Sequence, residues 1–264
     1  MFEFIFDLPL LITGPAIVGS LCAFAVGGLL VVRRRVLPRL RIHVEDSEFS
    51  GGMMQCIMVF YGLAVALIAV SVSQTYSDVA RIISGEASAL NALYRDVTSY
   101  PEPIRLELQQ HLRDYTDQVI HGAWWLQRRG KTPTAGFGYM TRFQTALNQF
   151  EPLTEGQKIL HAETLRAYNL LIQARRMRLD AATTGLPSIM WGVIVAGAFI
   201  SLSASFFFKV EDARLHAILV ILLATFMGLV IFMILALDRP FRGDLGIGPQ
   251  PYQLIYNQLM KRNP

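Results

Sequence analysis

Four stretches of the chain, Leu10–Val32, Gly51–Ser73, Leu186–Phe208 and Leu215–Leu237, contain no Asp, Glu, Lys or Arg, although the 264 residues carry 24 basic and 20 acidic side chains. No other feature limits the fold so tightly. Each stretch is 23 residues long. At about 1.5 Å of rise per residue, such a helix reaches roughly 34 Å, enough to cross a hydrocarbon layer of about 30 Å with modest tilt. A helix also satisfies every backbone donor and acceptor within its own segment, which lipid requires. With 53% hydrophobic and only 17% charged residues, the chain is too apolar and too short to wrap four such helices inside a water-soluble shell. The expectation is an all-α integral membrane protein: a first transmembrane hairpin over residues 1–73, a helical domain or extensions of the spans over 74–185, a second hairpin over 186–237 and a tail over 238–264.

The segment between the second and third spans carries 13 basic and 11 acidic side chains with helical periodicity nearly throughout. An apolar seam runs Tyr76, Val79, Ile83, then Leu90, Leu93 and Val97, at steps of three and four as in packed helices. Glu86 occupies the missing step. "YPEPIRLEL" breaks the pattern with Pro101 and Pro103, and a second face follows at Ile104, Leu108, Leu112, Tyr115 and Val119. "RRGKTPTAGFG" reads as a loop after two adjacent tryptophans. A short helix is expected around Phe143 to Phe150, and a long one from Thr154, whose hydroxyl and Gln157 three residues on form a capping pair. Its seam reads Leu165, Tyr168, Ile172, Arg175, Leu179, with an arginine in an apolar register. Glu86 and Arg175, in the helices joined to the second and third spans, are therefore candidates to face each other, because an unpaired interior charge is costly.

The spans are rich in small residues at helical spacing: Gly19, Ala23 and Gly27; Gly62, Ala66, Ala69 and Ser73; Gly192, Ala196 and Ser203. Such faces admit close helix packing or, in an oligomer, line a wet path. No span holds an acid or a lysine, which argues against proton-coupled transport. Glu3 and Asp7 stand where an export signal needs basic residues, so the first span is expected to be retained. Cys22 and Cys56 both lie in spans and form no disulfide framework. Five arginines, Arg33, Arg34, Arg35, Arg39 and Arg41, follow the first span and none precedes it, which places the amino terminus outside and residues 74–185 outside in a multi-pass cell membrane protein. Arg175, Arg176, Arg178, Arg239 and Arg242 oppose that orientation, and Lys209 and Arg214 support it. The five histidines never stand at metal-ligand spacing on one helix face. No phosphate-cradling loop or nucleophile elbow is present, so neither an enzyme, a metal site nor a cofactor is expected. The +4 net charge is not gathered with aromatics into a nucleic-acid footprint.

"EASALNALYRDVTSYPEPIRLELQQHLRDYTDQVI" (86–120), "RRMRLDAATTGLPSIMW" (175–191) and "LDRPFRG" (237–243) together resemble the bestrophin-like family of bacterial and plant membrane proteins. Glu86, Tyr94, Arg95, Pro101, Tyr115, Arg175, Arg178, Leu179, Pro187, Trp191, Asp238, Pro240, Phe241 and Gly243 match its pattern. Ala123 before Trp124 departs from it, since the family tends to carry an acid there, and "IMVFYG" around Phe60 matches the bestrophin pore stretch only loosely. The resemblance implies four spans, a homo-oligomer in membrane lipid and, through the distant likeness to bestrophins, an anion channel. It also implies a cytosolic middle segment, against the arginine count. The site residues expected on these grounds are a buried charge network of Glu86, Arg95, Arg175, Arg178 and Asp238, and a pore or packing face of Gly62, Ala66, Ala69 and Ser73. Asp238 has three candidate roles: to lock the local turn through Arg239 or Arg242, to tie the last span to Arg175 or Arg178, or to form a direct ligand or ion site. The other functional class left open is a non-conducting scaffold or sensor whose helical domain binds a partner or small ligand.

Overall fold

The computed structural model describes residues 9–39, 44–208 and 212–261. Glu3, Asp7, Arg41 and Lys209, used above for the export signal and for orientation, lie outside the described residues. All regular structure among the described residues is helical: α1 (Leu10–Val31), α2 (Val44–Val97), α3 (Ile104–Asp117), a π-turn (Gln118–Ala123), α4 (Trp124–Arg128), α5 (Gly136–Gln149), α6 (Glu155–Ala181), α7 (Ser188–Ser205), α8 (Ala213–Asp238) and α9 (Gln250–Ile255). Four of them, α1 with its following π-turn, α2, α7 and α8, are long and apolar enough to cross a membrane. The protein is an all-α membrane protein. The helix that carries the second span runs on past Ser73. α2 continues unbroken for 54 residues, about 80 Å at the rise of an α-helix.

The chain divides into two compact units, one of residues 1–75 and 185–239, the other of 76–184 and 240–264. In the first, the membrane unit, α1 and α8 meet backbone to backbone. A Cβ at Gly228 would stand 3.0 Å from the Val18 Cα, so only glycine allows that approach. The Tyr61 hydroxyl donates to the Ile194 carbonyl at 3.0 Å, joining α2 to α7 through a bond that lipid cannot replace. Leu21, Ala25, Ile194, Leu202, Ala224 and Ile231 form the interior, while Phe60, Leu63, Leu67 and Phe226 stay exposed. That pattern fits helices whose outer surface meets hydrocarbon.

The second unit, the helical domain, has an interior of a soluble kind. Ile83, Leu90, Leu93, Tyr94, Leu108, Leu112, Phe143 and Leu171 are fully buried, and one cluster unites residues from α2 through α9. The seam expected on α2 is the buried one from Val79 to Val97. α5 starts seven residues before the Phe143 expected from the sequence. α6 opens on the expected cap, with Gln157 N donating to the Thr154 hydroxyl at 3.2 Å and Thr154 N donating to Gln157 Oε1 at 3.3 Å. This satisfies amides that the first helical turn leaves without partners.

Candidate functional site: a buried ion pair, a helix staple and an open face

Two charged side chains meet in the interior of the helical domain, Glu86 at 0% exposure and Arg178 at 1%. The Arg178 Nε donates to Glu86 Oε2 at 2.6 Å, and Nη2 donates to Oε1 at 3.2 Å, a two-pronged contact that matches the guanidinium fork to the carboxylate. A third donor, Nη1, reaches Gln127 Oε1 at 2.7 Å. The Tyr115 hydroxyl completes the carboxylate shell, donating to Glu86 Oε1 at 2.6 Å. The rings of Trp124 and Tyr252 stand 5.8 Å from the guanidinium carbon, within cation–π range. α2, α3, α4, α6 and α9 thus all supply this one centre.

Its protonation states are set by the same contacts. Burial raises the Tyr115 phenol, and the Glu86 carboxylate raises it further, so Tyr115 remains a neutral donor. Burial alone disfavours the Arg178 cation, but the attraction of Glu86 outweighs it and the guanidinium is held still more firmly protonated. Tyr252 is pushed well up by burial first and by Glu86 second. Its hydroxyl is close enough to feel that carboxylate but lies outside hydrogen-bonding geometry. It and Gln127 Nε2 are buried without a hydrogen-bond partner. A charge-balanced pair of this kind, with its donors and acceptors met, holds helices in register.

Asp238, 3% exposed at the end of α8, works inside the membrane unit. Its Oδ1 accepts the Leu186 amide at 2.5 Å and its Oδ2 the Trp191 indole N–H at 3.3 Å; the Arg239 Nε stands 3.9 Å away. Leu186 precedes Pro187, which holds its backbone extended, so its amide has no helical acceptor. The carboxylate supplies one, stapling the start of the third span to the end of the fourth. α8 stops there because Pro240 turns Arg239 out of the helix, to φ −121 and ψ 87.

On α2, Gly62, Ala66 and Ser73 are exposed and Ala69 is half-buried; the position a Cβ would take at Gly62 faces open space. Gly62 and Ala66 also line an apolar groove of about 230 Å³ with Tyr61, Val65, Ser201 and Phe226.

The Bestrophin-like domain model matches residues 19–252 of the sequence, a span that holds every group described above. The chain belongs to the Bestrophin-like family. No curated protein and no solved structure matches it.

The expected charge network of this Bestrophin-like chain is redrawn by the structure. Glu86 pairs with Arg178, and Arg175 lies half-buried beside the pair with its guanidinium against Gly136 at the start of α5. The buried positions of α6 are Thr164, Tyr168, Leu171, Arg178 and Ala181; the seam read from Leu165 shares Tyr168 and falls one residue late at Leu165, Ile172 and Leu179. Arg175, three residues before Arg178, stands on the same side of α6 but is only half-buried. Arg95 is exposed, because on α2 it sits between the buried Leu93 and Val97 and points away from both. Asp238 finds its partners Leu186, Trp191 and Arg239 within the membrane unit. Gly19, Gly27, Gly62 and Gly192 all have open space at the Cβ position; close packing falls to Gly228 against the Val18 backbone and to Gly14, Gly28 and Gly197 against aromatic rings, none of them named by the sequence pattern. Gln127 and Tyr252 were also missed. The signal for Gln127 was its place three residues after Trp124, on the face that α4 buries. No periodicity marked Tyr252.

Proposed function

We propose that the chain is one subunit of an oligomeric anion channel of the cell membrane, with the Gly62, Ala66, Ala69 and Ser73 face of α2 turned toward the conducting axis. The observation that carries this reading is that face: small, uncharged, exposed in the single chain at Gly62, Ala66 and Ser73, and open where Gly62 would carry a side chain. Exposed glycine and alanine bury little area against lipid, whereas the neighbouring Phe60, Leu63 and Leu67 suit it well. Family membership supports a protein related to bestrophin channels. The bound species is an inorganic anion, which meets no fixed negative charge in the span. The Bestrophin-like family is not an enzyme family, and no enzymatic step is assigned to the chain. In this reading the amino terminus and the helical domain lie outside, on the strength of the arginines that follow the first span.

Purified protein in planar bilayers tests the reading. The expected result is unitary currents whose reversal potential follows an imposed anion gradient, altered in amplitude by Gly62→Leu. Silence across voltage, calcium and pH in a correctly folded sample overturns it and favours a non-conducting scaffold or sensor built on the helical domain.

A further inference from the structure

From Gln118 to Phe150 the chain contains no Asp or Glu, yet it carries Arg128, Arg129, Lys131 and Arg142. Two adjacent tryptophans precede the first three. The structure separates their roles. Trp124 is buried and donates its indole N–H to the Ile247 carbonyl at 3.0 Å, whereas Trp125 is 54% exposed. The Arg129 guanidinium carbon stands 3.7 Å from the centroid of the Trp125 ring. Stacking uses the face of a guanidinium and leaves its in-plane N–H donors available to an outside acceptor. Arg128, Arg129 and Lys131 are all exposed.

The loop that presents them is fixed from the other end of the chain. Arg242 Nη2 donates to the Arg129 carbonyl at 3.1 Å, and its guanidinium fills the place where a side chain at Gly130 would stand. Gly130 has φ +67, a left-handed conformation suited to glycine. Arg242 follows Asp238, the last residue of α8, by only four positions. The same short segment is gripped by α2, where the Tyr76 hydroxyl donates to the Leu245 carbonyl at 2.9 Å. The one acid among residues 239–249 is Asp244. Arg128, Arg129, Lys131 and the exposed indole of Trp125 are thus held together on one loop, fixed by the segment that follows α8 in the sequence.

We propose that this patch is a binding site for the phosphate headgroup of an anionic phospholipid, with Trp125 seated among the glycerol and upper acyl groups and Arg128, Arg129 and Lys131 around the phosphate. An exposed indole gains from an interfacial setting, where its ring is shielded and its N–H stays wet. Basic side chains close to a span gain from anionic lipid in the same setting. A soluble acidic partner would account for the cations but not for the bare tryptophan beside them.

The test uses the full chain in mild non-ionic detergent, titrated with phosphatidylglycerol, phosphatidylcholine, glycerol phosphate or inorganic phosphate. Phosphatidylglycerol is expected to raise the melting temperature saturably, and the other three are not. Joint replacement of Arg128, Arg129 and Lys131 by Gln is expected to weaken half-saturation by roughly five-fold per cation, on the order of a hundred-fold in all. Phosphatidylglycerol brominated near the head of its chains is expected to quench a fluorescence component that Trp125→Phe removes. Equal stabilisation by phosphatidylcholine, an unchanged half-saturation in the triple variant, or equal protection by inorganic phosphate or glycerol phosphate overturns the proposal, the last by making the patch a free-anion site. Should the triple variant fail to fold, the quenching arm on the unaltered protein decides: no preference for the anionic brominated lipid over the zwitterionic one overturns the proposal equally.

Discussion

The two units solve the same packing problem in different solvents. In the helical domain the large side chains are inside: Leu90, Leu93, Leu108, Leu112 and Phe143 all stand at 0% exposure. The membrane unit leaves Phe60 and Phe226 mostly uncovered and draws its helices together with glycine. Water drives leucine inward, so the domain can count on area burial and can even enclose an ion pair. Hydrocarbon gives no such drive, so the spans associate through close backbone approach and a few hydrogen bonds, such as Tyr61 to Ile194 and Leu186 to Asp238. A charge is therefore most consequential at the centre of the domain, and a methyl group most consequential between the spans.

The sharpest break of that comparison is Glu86→Gln. It removes half of a pair with no solvent access and leaves Arg178 charged in the interior, at a cost of about 3–5 kcal/mol. The expected outcome is loss of the cooperative melt of the domain near physiological temperature, read by circular dichroism in detergent while the spans stay helical. Replacing both members, Glu86→Leu with Arg178→Met, should recover most of that loss, since a buried pair and a well-packed apolar substitute are often close in free energy. Single variants that each shift stability by less than about 1 kcal/mol would mean that water reaches the pair.

How much of this was legible beforehand follows from the kind of signal each feature left. The spans announced themselves because lipid excludes charge residue by residue. The α2 seam was also readable, Glu86 included, because every flanking step from Val79 to Val97 is apolar. α6 was misphased because two of its core positions are polar: Thr164 returns its hydroxyl to the Leu160 carbonyl at 2.9 Å, and Arg178 finds its partner 92 residues away. Periodicity weighs only apolarity, so it preferred the half-buried Leu165, Ile172 and Leu179 and passed over Arg178. Gln127 and Tyr252 reach the pair through tertiary contacts alone, and no local pattern encodes those. The small-residue stripes had the opposite fault. They were visible, but the pattern does not say whether a glycine faces a helix or the open, and Gly228 faces one while Gly62 does not.

That last contrast is the second way to sharpen the comparison. Gly228→Ala puts a methyl 3.0 Å from the Val18 Cα, against backbone that cannot rotate aside, and overpacking of this kind costs typically about 1–3 kcal/mol. Gly62→Ala meets nothing within 4 Å and should leave the melting of a single subunit unchanged or slightly improved, since alanine restrains the unfolded helix more than glycine does. Thermal melts of the two variants in the same detergent give the answer. Equal losses would mean that the α2 face is packed in the purified particle, and a loss confined to the oligomer would identify subunit contact as the cause.

The smallest expected effect concerns Asp238. Its two acceptor oxygens serve two donors, the Leu186 amide and the Trp191 indole. Asp238→Asn keeps one oxygen for Leu186 but turns an amide N–H toward the indole N–H, and it removes the charge that strengthens both bonds. The expected loss is about 1–2 kcal/mol, the scale of one charge-assisted hydrogen bond in a partly desolvated place. Trp191→Phe takes away the second donor without disturbing Leu186, so in that background Asp238→Asn should lose less than in the parent protein. Arg178 shares no partner with Asp238, so Arg178→Gln combined with Asp238→Asn should add to within about 0.5 kcal/mol. A thermal-shift series of the three single and two paired variants reads both relations at once. Coupling between Asp238 and Arg178 well above that limit would show that the charge at the end of the last span reaches the helical domain after all. Additivity there, with coupling to Trp191, leaves the staple between the third and fourth spans as the work of this carboxylate.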